Sequence, residues 1–139
     1  MPQWTRWYLK AGLLYLVLAL IAGILTAARP VLDLPTAVAS LTPVYFHLLM
    51  VGWVTQAIFG VAYWMFPKFT RDQPRRSEAQ ARATFVLINA GLLLRVIGEP
   101  MQAFSAQSIW GWLLALSAVL QWLAGLLFAI NTWGRVKER

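Results

Sequence analysis

Apolar residues in this chain gather into four runs, at about residues 7–28, 43–66, 83–104 and 109–133, with short polar connectors between them. Each run matches the roughly 20 residues that an α-helix needs to cross a hydrocarbon core about 30 Å thick. The pattern predicts an all-α fold, an integral membrane four-helix bundle forming one domain over residues 1–139. A strip holding Trp4, Arg6 and Trp7 precedes the first run, an aromatic and basic mixture suited to a membrane interface. That run exceeds the apolar core of a signal peptide and lacks a cleavage site, so it reads as a retained helix. Pro30, Pro35 and Pro43 punctuate the connector after it, which is predicted to lie at the surface with one short helical turn. Pro67 ends the second run, and Lys68 to Arg82 is the one strongly polar stretch. A tight turn over Ser105 to Ser108 links the last two runs, and Gly134-Arg135 stops the fourth.

Composition supports the membrane assignment. Of 139 residues, 60% are hydrophobic and 14% aromatic, where a soluble domain has about half apolar residues. The net charge of +7 does not point to nucleic acid, because the cations sit at the ends of the apolar runs, where topology and anionic lipid headgroups account for them. With no cysteine, disulfides, thiolate metal sites and thiol nucleophiles are excluded.

Lys and Arg accumulate at the amino terminus, between the second and third runs, and at the carboxyl terminus (Arg135, Lys137, Arg139), whereas the other connectors carry little beyond Arg29. The positive-inside rule then places both termini and the middle connector in the cytoplasm. The second run enters from the outer face, bringing His47, the only histidine, about 6 Å along the axis from Pro43 at about 1.5 Å per residue. The third run passes the other way, so Arg95 and Glu99 meet His47 in one layer of the membrane. A bacterial or archaeal cytoplasmic membrane is the expected location.

Arg95 and Glu99 are four apart and share a helical face, with Gly91 and Gln102 extending the stripe. Charges inside a membrane are costly unless paired or hydrated, so this stripe is predicted to face protein. Two readings are open: an internal ion pair that fixes helix packing, or a site in which Arg95 neutralises an anionic ligand such as a cofactor carboxylate while Glu99 orients it. On the second run, steps of about 100° put Gly52, Gln56, Gly60 and Tyr63 on one side. His47 falls on the other with Met50, Val51, Val54, Ile58 and Met65. The glycine side is predicted to pack within the protomer, leaving His47 either as a structural hydrogen-bonding group or as a ligand to a flat apolar cofactor with a metal centre. The fourth run offers Ser117 and Gln121 on one face. Trp53 and Trp122 either line a cofactor pocket or fill the bundle.

The run His47-Leu48-Leu49-Met50-Val51-Gly52-Trp53, continuing through Phe59-Gly60-Val61-Ala62-Tyr63-Trp64-Met65-Phe66-Pro67, resembles the second transmembrane helix of heme-copper oxidase and nitric oxide reductase catalytic subunits. In that family a histidine near the outer end of this helix is an axial ligand of the low-spin heme, and a Gly-x-x-Tyr/Asn-Trp/Tyr pattern followed by proline closes the helix. The resemblance implies a b-type heme on His47, with Met50, Trp53, Arg95 and Glu99 around it and Arg95 near the propionates. It does not extend to the family's dozen helices or its further histidine cluster, so oxygen or nitric oxide reduction by this chain alone is not expected. A second axial ligand is needed: His47 of another copy in a homo-oligomer, favouring a dimer, or Met101 on the third run, with Met50 a weaker candidate because it lies on the same helix as His47. A five-coordinate heme is the remaining option. Ligand identity then decides between electron transfer, with a redox protein or quinol as partner, and gas binding.

Two other classes fit parts of the pattern. Small four-helix multidrug transporters resemble the chain in length and helix number, and Glu99 would be their proton-coupling carboxylate, although a first-run glutamate is missing. A cofactor-free structural subunit of a respiratory complex would tolerate substitution of His47.

Overall fold

The computed structural model describes residues 1–105 and 107–136. Lys137 and Arg139, and Ala106 in the turn before the last run, lie outside the described residues. Among those described there are no strands, and four helices are long and apolar enough to span a membrane. These are α1 (Gln3–Ala28), α2 (Thr36–Met65), α3 (Glu78–Phe104) and α4 (Ser108–Trp133).

The helices begin earlier than the apolar runs do. Polar residues are compatible with a helix where it leaves the membrane, so α1 takes in Trp4 and Arg6, and α3 starts on Ser77, whose side chain accepts a hydrogen bond from the Gln80 amide. Thr36–Ser40 forms a 3-10 turn, the short helical turn expected in the proline connector, and leads directly into an α-helical stretch over Leu41–His47. Pro43 falls in the first turn of that stretch, where no intrahelical bond requires its missing N–H.

Directly after His47, Leu48–Thr55 is π-helical, and α-helical geometry returns over Gln56–Met65. The Thr55 hydroxyl donates to the Met50 carbonyl at 2.8 Å, five residues back, in keeping with the wider turn. A π-helix rotates less per residue than an α-helix. Eight such residues turn His47 away from the position that uniform 100° steps assign to it.

Along its length α1 packs on α2, α3 packs on α4, and the first half of α2 lies against α3. The predicted glycine side of α2 is the buried one, comprising Gly52, Gln56, Gly60 and Tyr63. A Cβ on Gly52 would sit 2.7 Å from the Tyr15 Cβ, and one on Gly60 would sit 2.9 Å from the Tyr8 Cβ, so absent side chains let α1 and α2 approach. One apolar cluster joins Tyr15, Ala19, Val44, Leu48 and Leu92. A second joins Tyr8, Phe59, Ile88 and Ala124, with Phe59 stacked on Phe128 at 3.9 Å. Between them Tyr15 donates to Asn89 Oδ1 at 2.8 Å, and the Asn89 and Gln56 amides exchange hydrogen bonds at 3.2 and 3.3 Å. Three helices are thereby tied at mid-bundle by polar groups that would otherwise stand unpaired in hydrocarbon.

Candidate functional site

Three ionisable side chains predicted to converge do so. The Arg95 guanidinium donates from Nη1 to Glu99 Oε1 at 3.2 Å, one turn along α3, and His47 Nδ1 approaches the same oxygen at 3.0 Å from α2. Glu99 is buried, with 7% of its side chain exposed, whereas the imidazole keeps 29%. Each charge at the centre of a membrane helix costs about 2.5–3.5 kcal/mol on insertion scales, so the mutual neutralisation of Arg95 and Glu99 is what permits both.

Further bonds fix the pair. Arg95 Nε donates to Ser117 Oγ at 3.3 Å, Gln121 Nε2 donates to the same oxygen at 3.2 Å, and the Ser117 hydroxyl donates to the Gly91 carbonyl at 2.6 Å. That hydroxyl is used to capacity, as one donor and two acceptor positions. Gly91 brings the helices close enough, since a Cβ there would lie 2.9 Å from Gln121 Cγ. The sequence placed Ser117 and Gln121 on one face without linking them to Arg95.

His47 Nδ1 also hydrogen-bonds the Pro43 carbonyl at 2.9 Å. Pro43 O and Glu99 Oε1 are both acceptors, so Nδ1 carries the hydrogen and, in the neutral ring, Nε2 carries the lone pair. No described residue hydrogen-bonds Nε2. An imidazole held by one nitrogen through a carbonyl and a carboxylate, with the other nitrogen free, is the arrangement that metal-ligating histidines adopt.

The π-helical run explains why His47 reaches Glu99 at all. The expectation that His47 shares a free outer face with Met50, Val51, Val54, Ile58 and Met65 holds in part: Met50, Ile58 and Met65 are exposed, but His47 is half-buried at the α2–α3 seam. Of the other candidates, Met50 lies on exposed surface three residues from His47. Trp53 packs over Gly12 in the α1–α2 seam, its ring 3.2 Å from where a Gly12 Cβ would be, and is not brought to the histidine. Met101 is exposed and lies about 200° round α3 from Glu99, at about 100° per residue. Gln102, expected on the Arg95–Glu99 stripe, and Trp122, expected in a pocket or the bundle, are exposed instead.

Among the described residues no group of three or more His, Asp or Glu side chains is placed to hold a metal ion. The donor set fits a single axial nitrogen to a metal carried by its own macrocycle.

A multi-pass membrane protein with one anchored, half-exposed histidine beside a buried ion pair is the class that fold and site define. The family model for Cytochrome C and Quinol oxidase polypeptide I matches residues 2–101, and the chain belongs to that family. The match takes in α1, α2 and nearly all of α3, hence His47, Arg95 and Glu99. No curated protein and no solved structure matches the chain. The protein is thus related to the heme-copper oxidases, a family that binds heme and works in complexes.

Proposed function

We propose that this protein is a small membrane b-type heme protein, a single domain over residues 1–139, in which His47 Nε2 is an axial ligand. The observation that carries the reading is the anchoring of His47 Nδ1 between Pro43 O and Glu99 Oε1, at 2.9 and 3.0 Å, which leaves Nε2 with the lone pair. Phe46 and Met50, one and three residues from His47 on α2, are exposed and would supply apolar surface for a macrocycle. When bound, heme supplies one-electron redox chemistry or a site for a gas. The chain's part is to hold the imidazole, exclude water and balance charge. Arg95 is committed to Glu99 and Ser117, so its role is to hold that balance, and a propionate would share it.

The second ligand is His47 of another copy, which makes the protein a homodimer with heme at the interface. A partial exposure of 29% for the imidazole is compatible with approach from outside the protomer. Met101 would have to act from the far side of α3. Electron exchange with a quinol or a redox protein is the role this arrangement suits, in a bacterial or archaeal cytoplasmic membrane with both termini inside. Transport through Glu99 is the weaker reading, because its one hydrogen-bonded oxygen is already shared by Arg95 and His47. Heme content of the purified protein tests the proposal: about one heme per two chains is expected, and a chain that stays heme-free after reconstitution overturns it.

A further inference from the structure

We infer that Glu99 and Arg95 are opposed positioning residues that set the reduction potential of the site through His47; this rests on the reading of His47 as an axial ligand. Glu99 is 93% buried by side chain, and its two oxygens are not equivalent. Oε1 receives Arg95 Nη1 at 3.2 Å and lies 3.0 Å from His47 Nδ1. Oε2 is buried and has no hydrogen-bond partner. Without solvent or a donor on Oε2, the field of this carboxylate is not dispersed, and the nearest groups to feel it are one guanidinium and one imidazole. In low dielectric such a field is worth far more than at a surface.

The two effects on His47 have opposite signs. A carboxylate oxygen beside Nδ1–H draws that hydrogen and makes Nε2 a stronger electron donor, which favours the oxidised metal. Arg95, on the same oxygen, withdraws charge from it and moderates the effect. Its position is not free: Ser117 Oγ holds Nε at 3.3 Å and is itself pinned to the Gly91 carbonyl at 2.6 Å. A packing role alone would use the ion pair as a neutral unit. Here the pair presents its anionic end to the imidazole and its cationic end to α4, so it acts on His47 as an oriented dipole. A metal-ligating histidine commonly owes its basicity to such an outer partner, and losing one typically changes metal affinity or activity 10–100-fold.

The experiment is a potentiometric titration of the heme-loaded protein in wild-type form and in Glu99→Gln, Arg95→Gln and the double variant, with the electron paramagnetic resonance g-values of the ferric form recorded for each. Glu99→Gln is expected to raise the potential, increasing the ferrous-to-ferric ratio at fixed poise about tenfold, or about 59 mV for one electron. Arg95→Gln is expected to lower it, with a narrower spread of g-values, as a more imidazolate-like ligand gives. The double variant leaves neither member of the pair uncompensated at this site and is the control where a single variant does not fold; its potential is expected between Glu99→Gln and wild type. Retained heme with unchanged potentials, or single variants that shift the same way, overturns the inference while leaving the ligand reading intact. Should only the double variant fold, a potential equal to wild type overturns it. Absence of heme from wild type defeats the ligand reading first, in the spectrum, before any potential is measured.

Discussion

Arg135 Nη2 lies 2.8 Å from the Phe66 carbonyl oxygen, so the residue just beyond α4 closes the carboxyl end of α2. The same nitrogen donates to the Tyr63 carbonyl at 3.0 Å, and Nε donates to Pro67 at 3.1 Å. Three carbonyls that have no partner within their own helix are thereby satisfied by a cation placed at the negative end of the helix dipole. Only 1% of Arg135 is exposed, and burial lowers its pKa from the ordinary arginine value. Asn131 and Ser77 add reciprocal bonds at 3.2 Å, and Arg76 donates to the Ile130 carbonyl. The polar connector between α2 and α3 is thus stitched to the end of α4. Arg135→Ala is expected to destabilise the fold by about 2–4 kcal/mol, since bonds to a charged donor are lost and carbonyls are left unpaired. Thermal unfolding in detergent measures this, and unchanged unfolding would show that the clamp contributes nothing.

Seam packing on the other side of α2 makes a separate prediction. Gly52→Ala drives a methyl to within 2.7 Å of Tyr15 Cβ, an atom too close to the backbone to swing aside. A loss of about 1–3 kcal/mol is expected from the forced separation. Asn89→Ala, which unties Tyr15 and Gln56 without a clash, is expected to cost about 1 kcal/mol, the usual scale of interhelical hydrogen bonds in membranes. The same unfolding assay ranks the two, and a larger loss from Asn89→Ala would reverse the relative weight given to packing and polar contacts.

Topology is open to direct test because the chain has no cysteine of its own. Leu32→Cys and Asp72→Cys place single thiols on exposed positions in the two long connectors. With both termini cytoplasmic, an impermeant maleimide is expected to label position 32 in intact cells and position 72 only after permeabilisation. The opposite pattern would invert the assignment.

Met101 provides a control on the second ligand. It is exposed and on the far side of α3 from Glu99, so Met101→Leu is expected to keep the heme spectrum unchanged. Loss of a low-spin signature in that variant would replace the two-histidine arrangement with His/Met ligation.

Much of this arrangement can be read from the chain itself. Four apolar runs of membrane length, the small and polar stripe Gly52-Gln56-Gly60-Tyr63, and the four-residue spacing of Arg95 and Glu99 each follow from periodicity and the cost of charge in lipid. The approach of His47 to Glu99 follows less directly. Depth along the axis was available from charge asymmetry, but azimuth was not, because the π-helical run Leu48–Thr55 breaks the uniform 100° step on which face assignment depends. Nothing in an apolar stretch such as Leu48-Leu49-Met50-Val51 announces a wider turn. In the sequence Arg135 is visible only as a topology signal, since the carbonyls it serves lie about 70 residues earlier in the chain. Polarity points Gln102 inward and mid-helix position does the same for Trp122, yet both face out.

Heme binding at His47 is decided by a reduced-minus-oxidised absorption spectrum of the protein purified from membranes. Wild type is expected to show the Soret and visible bands of a low-spin b-type heme, and His47→Ala is expected to lose them while retaining its helical content. A wild-type spectrum without a Soret band after heme reconstitution, or an identical spectrum in folded His47→Ala, would contradict it.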